Sequence, residues 1–126
     1  MGKYLIRKVP SGIKFDLKAT NGEVIATSEV YTTKNACVNG IASVKRNAPI
    51  AGVEDQTKPD FETVKHPKFE IYTDKAGEIR FRLKARNGEI IATSEGYRSM
   101  SACVNGIESV RKNSDGETVE EEAVKG

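Results

Sequence analysis

The stretch Asn21-Gly22-Glu23-Val24-Ile25-Ala26-Thr27-Ser28-Glu29 returns as Asn87-Gly88-Glu89-Ile90-Ile91-Ala92-Thr93-Ser94-Glu95, with one conservative change. Extended in both directions, residues 15–48 align with 81–114 without a gap, and 22 of those 34 positions are identical. One unit has been used twice. The chain has 126 residues, so each unit is close to 60. A domain of about 60 residues buries only about 60% of its unfolded surface and is marginal alone. Two copies sharing one core remove that difficulty.

Each copy opens on an extended segment, Tyr4 to Val9 and then Phe69 to Asp74. Tyr4 and Ile6 match Phe69 and Ile71, whereas Leu5 and Arg7 become Glu70 and Tyr72, so the first pair points inward. In the next strand Ile79, Phe81, Leu83 and Ala85 alternate with Arg80, Arg82, Lys84 and Arg86, the pattern of a half-buried strand. Asn21-Gly22 and Asn87-Gly88 predict two-residue type I′ hairpins, which need positive φ at both central residues. That register sets Leu17 opposite Ala26 and Leu83 opposite Ala92. It also opposes Arg86 with Glu89, Arg80 with Glu95 and Lys14 with Glu29.

After Tyr31 and Tyr97 the apolar period lengthens to about 3.6 residues. Thr32 or Thr33, and Ser99 or Ser101, are candidate N-caps. Ala36, Cys37, Gly40, Ile41 and Val44 then form a helical stripe, repeated at Ala102, Cys103, Gly106, Ile107 and Val110. A mid-helix glycine costs about 1 kcal/mol against alanine. Its recurrence within the stripe predicts that helix backbone and sheet approach too closely there for a Cβ. Val53 and Val119 fall at matching distances beyond the helices and predict a short fourth strand in each copy. The tail from Glu120 to Gly126 is expected to fray.

Phe-x-Leu-Lys-Ala, Asn-Gly-Glu, Ile-Ala-Thr-Ser-Glu, a tyrosine and then Asn-Gly-Ile-x-Ser-Val-x-x-Asn occur in both copies. The combination resembles the YegP-like family of small uncharacterised bacterial proteins. The resemblance implies an α+β fold of two tandem β-β-β-α-β repeats, joined about a pseudo-two-fold axis into one antiparallel sheet with two helices and exchanging their last strands. It carries no established activity. The expected organisation is a single domain of repeat 1 (1–55) and repeat 2 (68–122), with 56–67 connecting them and a monomer as the consequence. After Asn113 the second copy departs from the pattern, with Ser114-Asp115 in place of Ala48-Pro49.

The chemistry-bearing residues are few. His66 is the only histidine and precedes Pro67 in the connecting segment, where a solvated side chain is expected rather than a general base. Cys37 and Cys103 lie 66 residues apart inside apolar stripes, which reads as two buried small hydrophobes rather than a metal or redox pair. Nucleotide-binding glycine loops are absent, and no cofactor, metal or catalytic residue is expected. In Thr27-Ser28-Glu29 and Thr93-Ser94-Glu95 adjacent side chains point to opposite faces, so each reads as a strand whose glutamate pairs with Lys14 or Arg80 across the ladder rather than as a catalytic pair. Net charge of +2 is too small to argue for nucleic acid or membrane as a partner. No run approaches the roughly 20 apolar residues of a membrane span. The first residues lack a signal peptide's apolar segment, and a cytoplasmic location is the expectation.

Two surfaces remain as candidates. Arg80, Arg82, Lys84 and Arg86 form a row of cations at about 7 Å intervals, near the spacing of phosphates along a nucleic-acid strand. Glu89 and Glu95 oppose its ends, so weak binding of nucleic acid or another anionic polymer is the second reading. The first is a small non-enzymatic binding or protein-interaction module. For it, Ile25 and Ile91 on an otherwise polar hairpin face, with Tyr72 and Leu5, supply an apolar docking patch.

Overall fold

A computed structural model describes residues 2–120; the tail at 121–126, where fraying is expected, lies outside them. Repeat 1 contributes β1 (Lys3–Val9), β2 (Gly12–Lys18), β3 (Val24–Thr27), α1 (Lys34–Asn47) and β4 (Gly52–Asp55). Repeat 2 contributes β5 (Lys68–Thr73), β6 (Ile79–Lys84), β7 (Ile90–Thr93), α2 (Met100–Asn113) and β8 (Glu117–Glu120). One eight-stranded sheet results, in the order β4-β5-β6-β7-β3-β2-β1-β8. The halves meet at the centre, where Thr27 pairs with Thr93. Each repeat sends its last strand to the other: β4 lies beside β5, and β8 beside β1.

The sheet is antiparallel except at its two ends, where both exchanged strands pair in parallel. A parallel neighbour needs a crossover of about a dozen residues, and residues 56–67 have that length. The last turn of α2 joins the ends of the sheet. Tyr4 of β1 donates its hydroxyl to the Ser114 carbonyl at 2.6 Å, and Arg111 donates to the Ala51 carbonyl ahead of β4 at 2.6 Å.

One face of the sheet carries the core. Tyr4, Ile6, Phe15 and Leu17, with Phe69, Ile71, Phe81 and Leu83, pack beneath Cys37, Ile41 and Val44 of α1 and Cys103, Ile107 and Val110 of α2. The rings meet edge to face, Tyr4 on Phe15 at 5.7 Å and Phe69 on Phe81 at 5.8 Å. Thr33 and Ser99 cap the helices by accepting from the amides of Ala36 and Ala102. Both cysteines are buried and unpaired.

The hairpins correct the predicted turn. Only the glycines have positive φ, +88° at Gly22 and +86° at Gly88, while Asn21 and Asn87 do not. The loop therefore has three residues. The Gly22 amide donates to Ala19 at 2.9 Å, and Ala19 faces Glu23 rather than Thr20 doing so; in repeat 2 Ala85, not Arg86, faces Glu89. A type I turn closed by a left-handed glycine gives this geometry. The loop alone would shift the register by one residue, but Leu17 still opposes Ala26 and Leu83 still opposes Ala92. Ile25 and Ile91 absorb the difference as bulges, since Lys18 pairs with Val24 and Lys84 with Ile90.

The repeated Thr-Ser-Glu has a structural role at this irregular edge. Ser28 Oγ accepts from the Phe15 amide at 2.9 Å and donates to the Glu29 carbonyl at 2.7 Å; Ser94 does the same for Phe81 and Glu95. Each serine replaces a ladder carbonyl where strand pairing ends, so the buried amide keeps an acceptor.

The mid-helix glycines make room for tyrosine rings rather than for sheet backbone. A Cβ on Gly106 would overlap the Tyr97 hydroxyl and come within 2.8 Å of Tyr97 Cζ and 3.0 Å of Phe81. Tyr97 cannot easily yield, because its ring stacks on Phe81 at 6.2 Å and its backbone bridges to Ile79. Helix propensity alone predicts that Gly106→Ala stabilises by about 1 kcal/mol, whereas overpacking costs about 1–3 kcal/mol. A net loss of up to about 2 kcal/mol in urea denaturation is expected. In a Tyr97→Ala background the same substitution should cost nothing.

Candidate binding site

On the sheet face opposite the helices the basic row is largely satisfied within the chain. Glu70 of β5 is 3% exposed and receives Arg82 Nε at 2.6 Å, Lys84 Nζ at 3.3 Å and Lys68 Nζ at 3.4 Å. Lys68, 5% exposed, also reaches Glu54 Oε1 at 2.8 Å. Glu54, 2% exposed, accepts in addition from Gln56 and from the Val64 amide of the connecting segment. Arg82 lies over the Tyr72 ring at 4.5 Å. Arg80 pairs with Asp74 at 2.6 Å and donates to the Ser94 carbonyl; Asp74, rather than Glu95, is its carboxylate partner. Three of the four cations are thereby engaged, which leaves the row little charge to offer a phosphate chain.

Two expectations about exposed residues are corrected. Ile25 is 8% and Ile91 5% exposed, both within the core cluster, so no docking patch forms with Tyr72 and Leu5. The bulge is the reason: an extra residue in the strand breaks the alternation that would have set these side chains on the polar face. Arg86 leaves the row as well. Strand β6 ends at Lys84, and Arg86 sits in the turn, where it lines a groove on the helix side.

That groove runs between α1 and the β6–β7 hairpin, so a helix of repeat 1 and a turn of repeat 2 build it together. Along α1 its wall is Ala36, Asn39, Gly40, Ser43 and Asn47, one stripe at helical spacing. It has two lobes, of about 250 and 310 Å³, which share Ser43, Ala85 and Asn87. Glu89 and Tyr31 line the lobe toward the start of α1; Arg46, Arg86 and Ile50 line the other. Burial, then Cys37, Glu29 and Glu89, raise the Tyr31 pKa, so its hydroxyl stays protonated at neutral pH and can donate. Asn87 Oδ1 accepts from the Glu89 amide at 3.0 Å, which fixes the turn and leaves its NH₂ toward the groove open.

Sequence reasoning placed Arg86 on the wrong face, passed over Asn39, Ser43 and Arg46, and read Glu89 only as a charge opposing the basic row. The available signal was the copy comparison: Asn39, Ser43, Asn87 and Glu89 recur unchanged as Asn105, Ser109, Asn21 and Glu23. Among the described residues no group of three or more His, Cys, Asp or Glu is placed to hold a metal ion, and no helix is long and apolar enough to cross a membrane.

Two β-β-β-α-β units that lend each other their last strands, in one mixed sheet, define a pseudo-symmetric tandem-repeat α+β protein. The chain matches a domain of unknown function, DUF1508, over residues 12–55 and 74–121, and it belongs to that family. It is 40% identical over 114 residues to the UPF0339 protein YegP of Yersinia pestis, covering 90% of this chain and 88% of the relative. Its fold is similar to the solution structure of YegP from Escherichia coli, a protein of unknown function, with a TM-score of 0.77, 32% identity and coverage of 98% and 96%. The solution structure of a UPF0339 protein from Shewanella oneidensis is similar too, with a TM-score of 0.75, 37% identity and coverage of 97% and 94%.

Proposed function

We propose that the protein is a non-enzymatic interaction module of the cytoplasm, which docks a segment of another protein in the groove between α1 and the β6–β7 hairpin. One observation carries this reading: where hydrogen-bonding capacity is left unspent. On the opposite face Arg80, Arg82, Lys84 and Lys68 are consumed by carboxylates of the same chain. In the groove the side chains of Tyr31, Asn39, Arg46, Arg86 and Glu89 form no hydrogen bond or ion pair among the described residues. Such groups are held by water until a ligand supplies equivalent bonds, and the exchange is close to neutral in enthalpy. Binding can therefore gain from the apolar contacts at Ala36, Ala85 and Ile50.

A photo-crosslinking p-benzoylphenylalanine in place of Asn39 tests the site in living cells. The same residue at Lys58, exposed in the connecting segment, is the control. Discrete protein adducts are expected at Asn39 that disappear when Arg86→Glu is added, with the melting temperature unchanged. Equal adducts at both positions, or adducts indifferent to Arg86→Glu, overturn the assignment.

A further inference from the structure

Resting on the groove reading above, we infer that the occupant is an extended peptide segment of about five residues with a carboxylate at one end and a cationic group at the other. The length follows from the helix wall. From Ala36 to Asn47 the α1 stripe rises about 17 Å at 1.5 Å per residue, and extended chain covers that distance in about five residues at roughly 3.3 Å each.

The charge order follows from the lining. Glu89 supplies the acidic side chain of the lobe near the start of α1, whereas Arg46 and Arg86 both line the lobe near its end. Two guanidiniums can hold a carboxylate through several charge-assisted hydrogen bonds. Between these ends lie Asn39, Ser43 and Asn87. Carboxamides offer both donor and acceptor, which is what a peptide backbone presents in alternation. A purely anionic ligand would meet Glu89, and a purely cationic one would meet the arginines, so like-charge contact disfavours both.

The duplication supplies an internal comparison. On the other side of the pseudo-two-fold axis Tyr97, Asn105, Ser109, Asn21 and Glu23 repeat the first lobe, and Glu23 acts on Tyr97 as Glu89 acts on Tyr31. The second lobe is not repeated: Thr20 stands for Arg86 and Lys112 for Arg46. The α1 groove is therefore the one equipped for the carboxylate end, and one peptide per chain is expected at low concentration.

The full chain can be tested by affinity selection with mass spectrometry from three pentapeptide libraries with blocked termini and three random interior positions. Their ends are Lys and Asp, Asp and Lys, or Ser and Ser. One of the two charged libraries should be enriched at least tenfold over the neutral one, its order giving the direction of the bound chain. The double variant Arg46→Glu with Arg86→Glu should lose that enrichment, and a further library with Lys at both ends should be enriched on it instead. Enrichment without regard to charge, or a double variant that selects as the parent does, overturns the inference while the Asn39 crosslinks stand. No enrichment from any library, with those crosslinks intact, overturns it as well. Loss of the crosslinks alone removes the groove reading beneath it.

Discussion

Lys68→Met is expected to lower the unfolding free energy by about 3–5 kcal/mol, because it leaves a buried carboxylate without its counter-charge. Lys68 bridges Glu54 at 2.8 Å and Glu70 at 3.4 Å. Glu70 keeps Arg82 and Lys84 in the variant, so the loss falls mainly on Glu54. Burial works against ionisation of Glu54, but Lys68, then Gln56 and the Val64 amide, outweigh it and hold the pKa at about 2, below the ordinary 4.5. The depressed value means that this contribution is complete above pH 4.5 and is lost as pH falls toward about 2. At Lys68 burial opposes the charge and both glutamates favour it, and the net pKa is raised. That contribution is present below the ordinary 10.5 and goes only as pH rises through the higher folded value. Urea denaturation across pH should therefore show the gap between parent and Lys68→Met widest near neutrality and narrowing below pH 4.5. A gap that stays constant down to pH 2 would mean that packing of the lysine stem, not its charge, carries the effect. Adding Glu54→Gln to Lys68→Met should recover part of the loss, since the orphaned charge is then gone.

The strand alternation and the helical stripes were legible in the sequence, because hydrophobic period acts locally, and each cap, Thr33 and Ser99, was one of two candidates. The exchange of last strands was implied by the family resemblance, and the parallel pairing of both exchanged strands was not anticipated. What escaped was set by single-residue slips and by contacts between repeats. Both Asn-Gly pairs read as two-residue turns, but Asn21 and Asn87 avoid positive φ, and the bulges at Ile25 and Ile91 restore the register. The cross-strand apolar pairs consequently came out right, whereas Ile25, Ile91 and Arg86 left the polar face assigned to them. Gly40 and Gly106 signalled a close approach without naming the tyrosine that makes it. The basic row is neutralised by Glu70 on the neighbouring strand and by Asp74, and the Lys68 beside it is held by Glu54, which arrives from repeat 1 on an exchanged strand. No local pattern couples position 54 to position 68. The groove was hidden for the same reason: its walls are about 45 residues apart in the chain and meet only because α1 crosses onto the hairpin of the other repeat.

Cleaving the chain at Pro59 is expected to abolish folding of either fragment as a monomer, the largest effect of any single change. Fragment 1–58 would keep β1, β2, β3 and α1, but β4 would lose β5, and β1 would lose its parallel neighbour β8. Fragment 59–126 would expose β5 and the inner edge of β7 in the same way. Bare strand edges and half a core leave each fragment with too little buried apolar surface to balance the entropy of ordering about 60 residues. Complementation should follow from the same geometry. An equimolar mixture can restore both parallel pairs and the central Thr27–Thr93 join, so cooperative melting should return with a concentration-dependent midpoint. Each fragment alone should sediment either as unfolded chain or as a self-paired dimer, in which one copy's last strand takes the partner's edge. The buried network separates these outcomes. A dimer of the second fragment has Lys68 and Glu70 in each copy but no Glu54, whereas the mixture regains all three. The mixed species should therefore melt above either self-paired one. A compact, cooperatively melting monomer from either fragment would contradict the shared core on which this architecture depends.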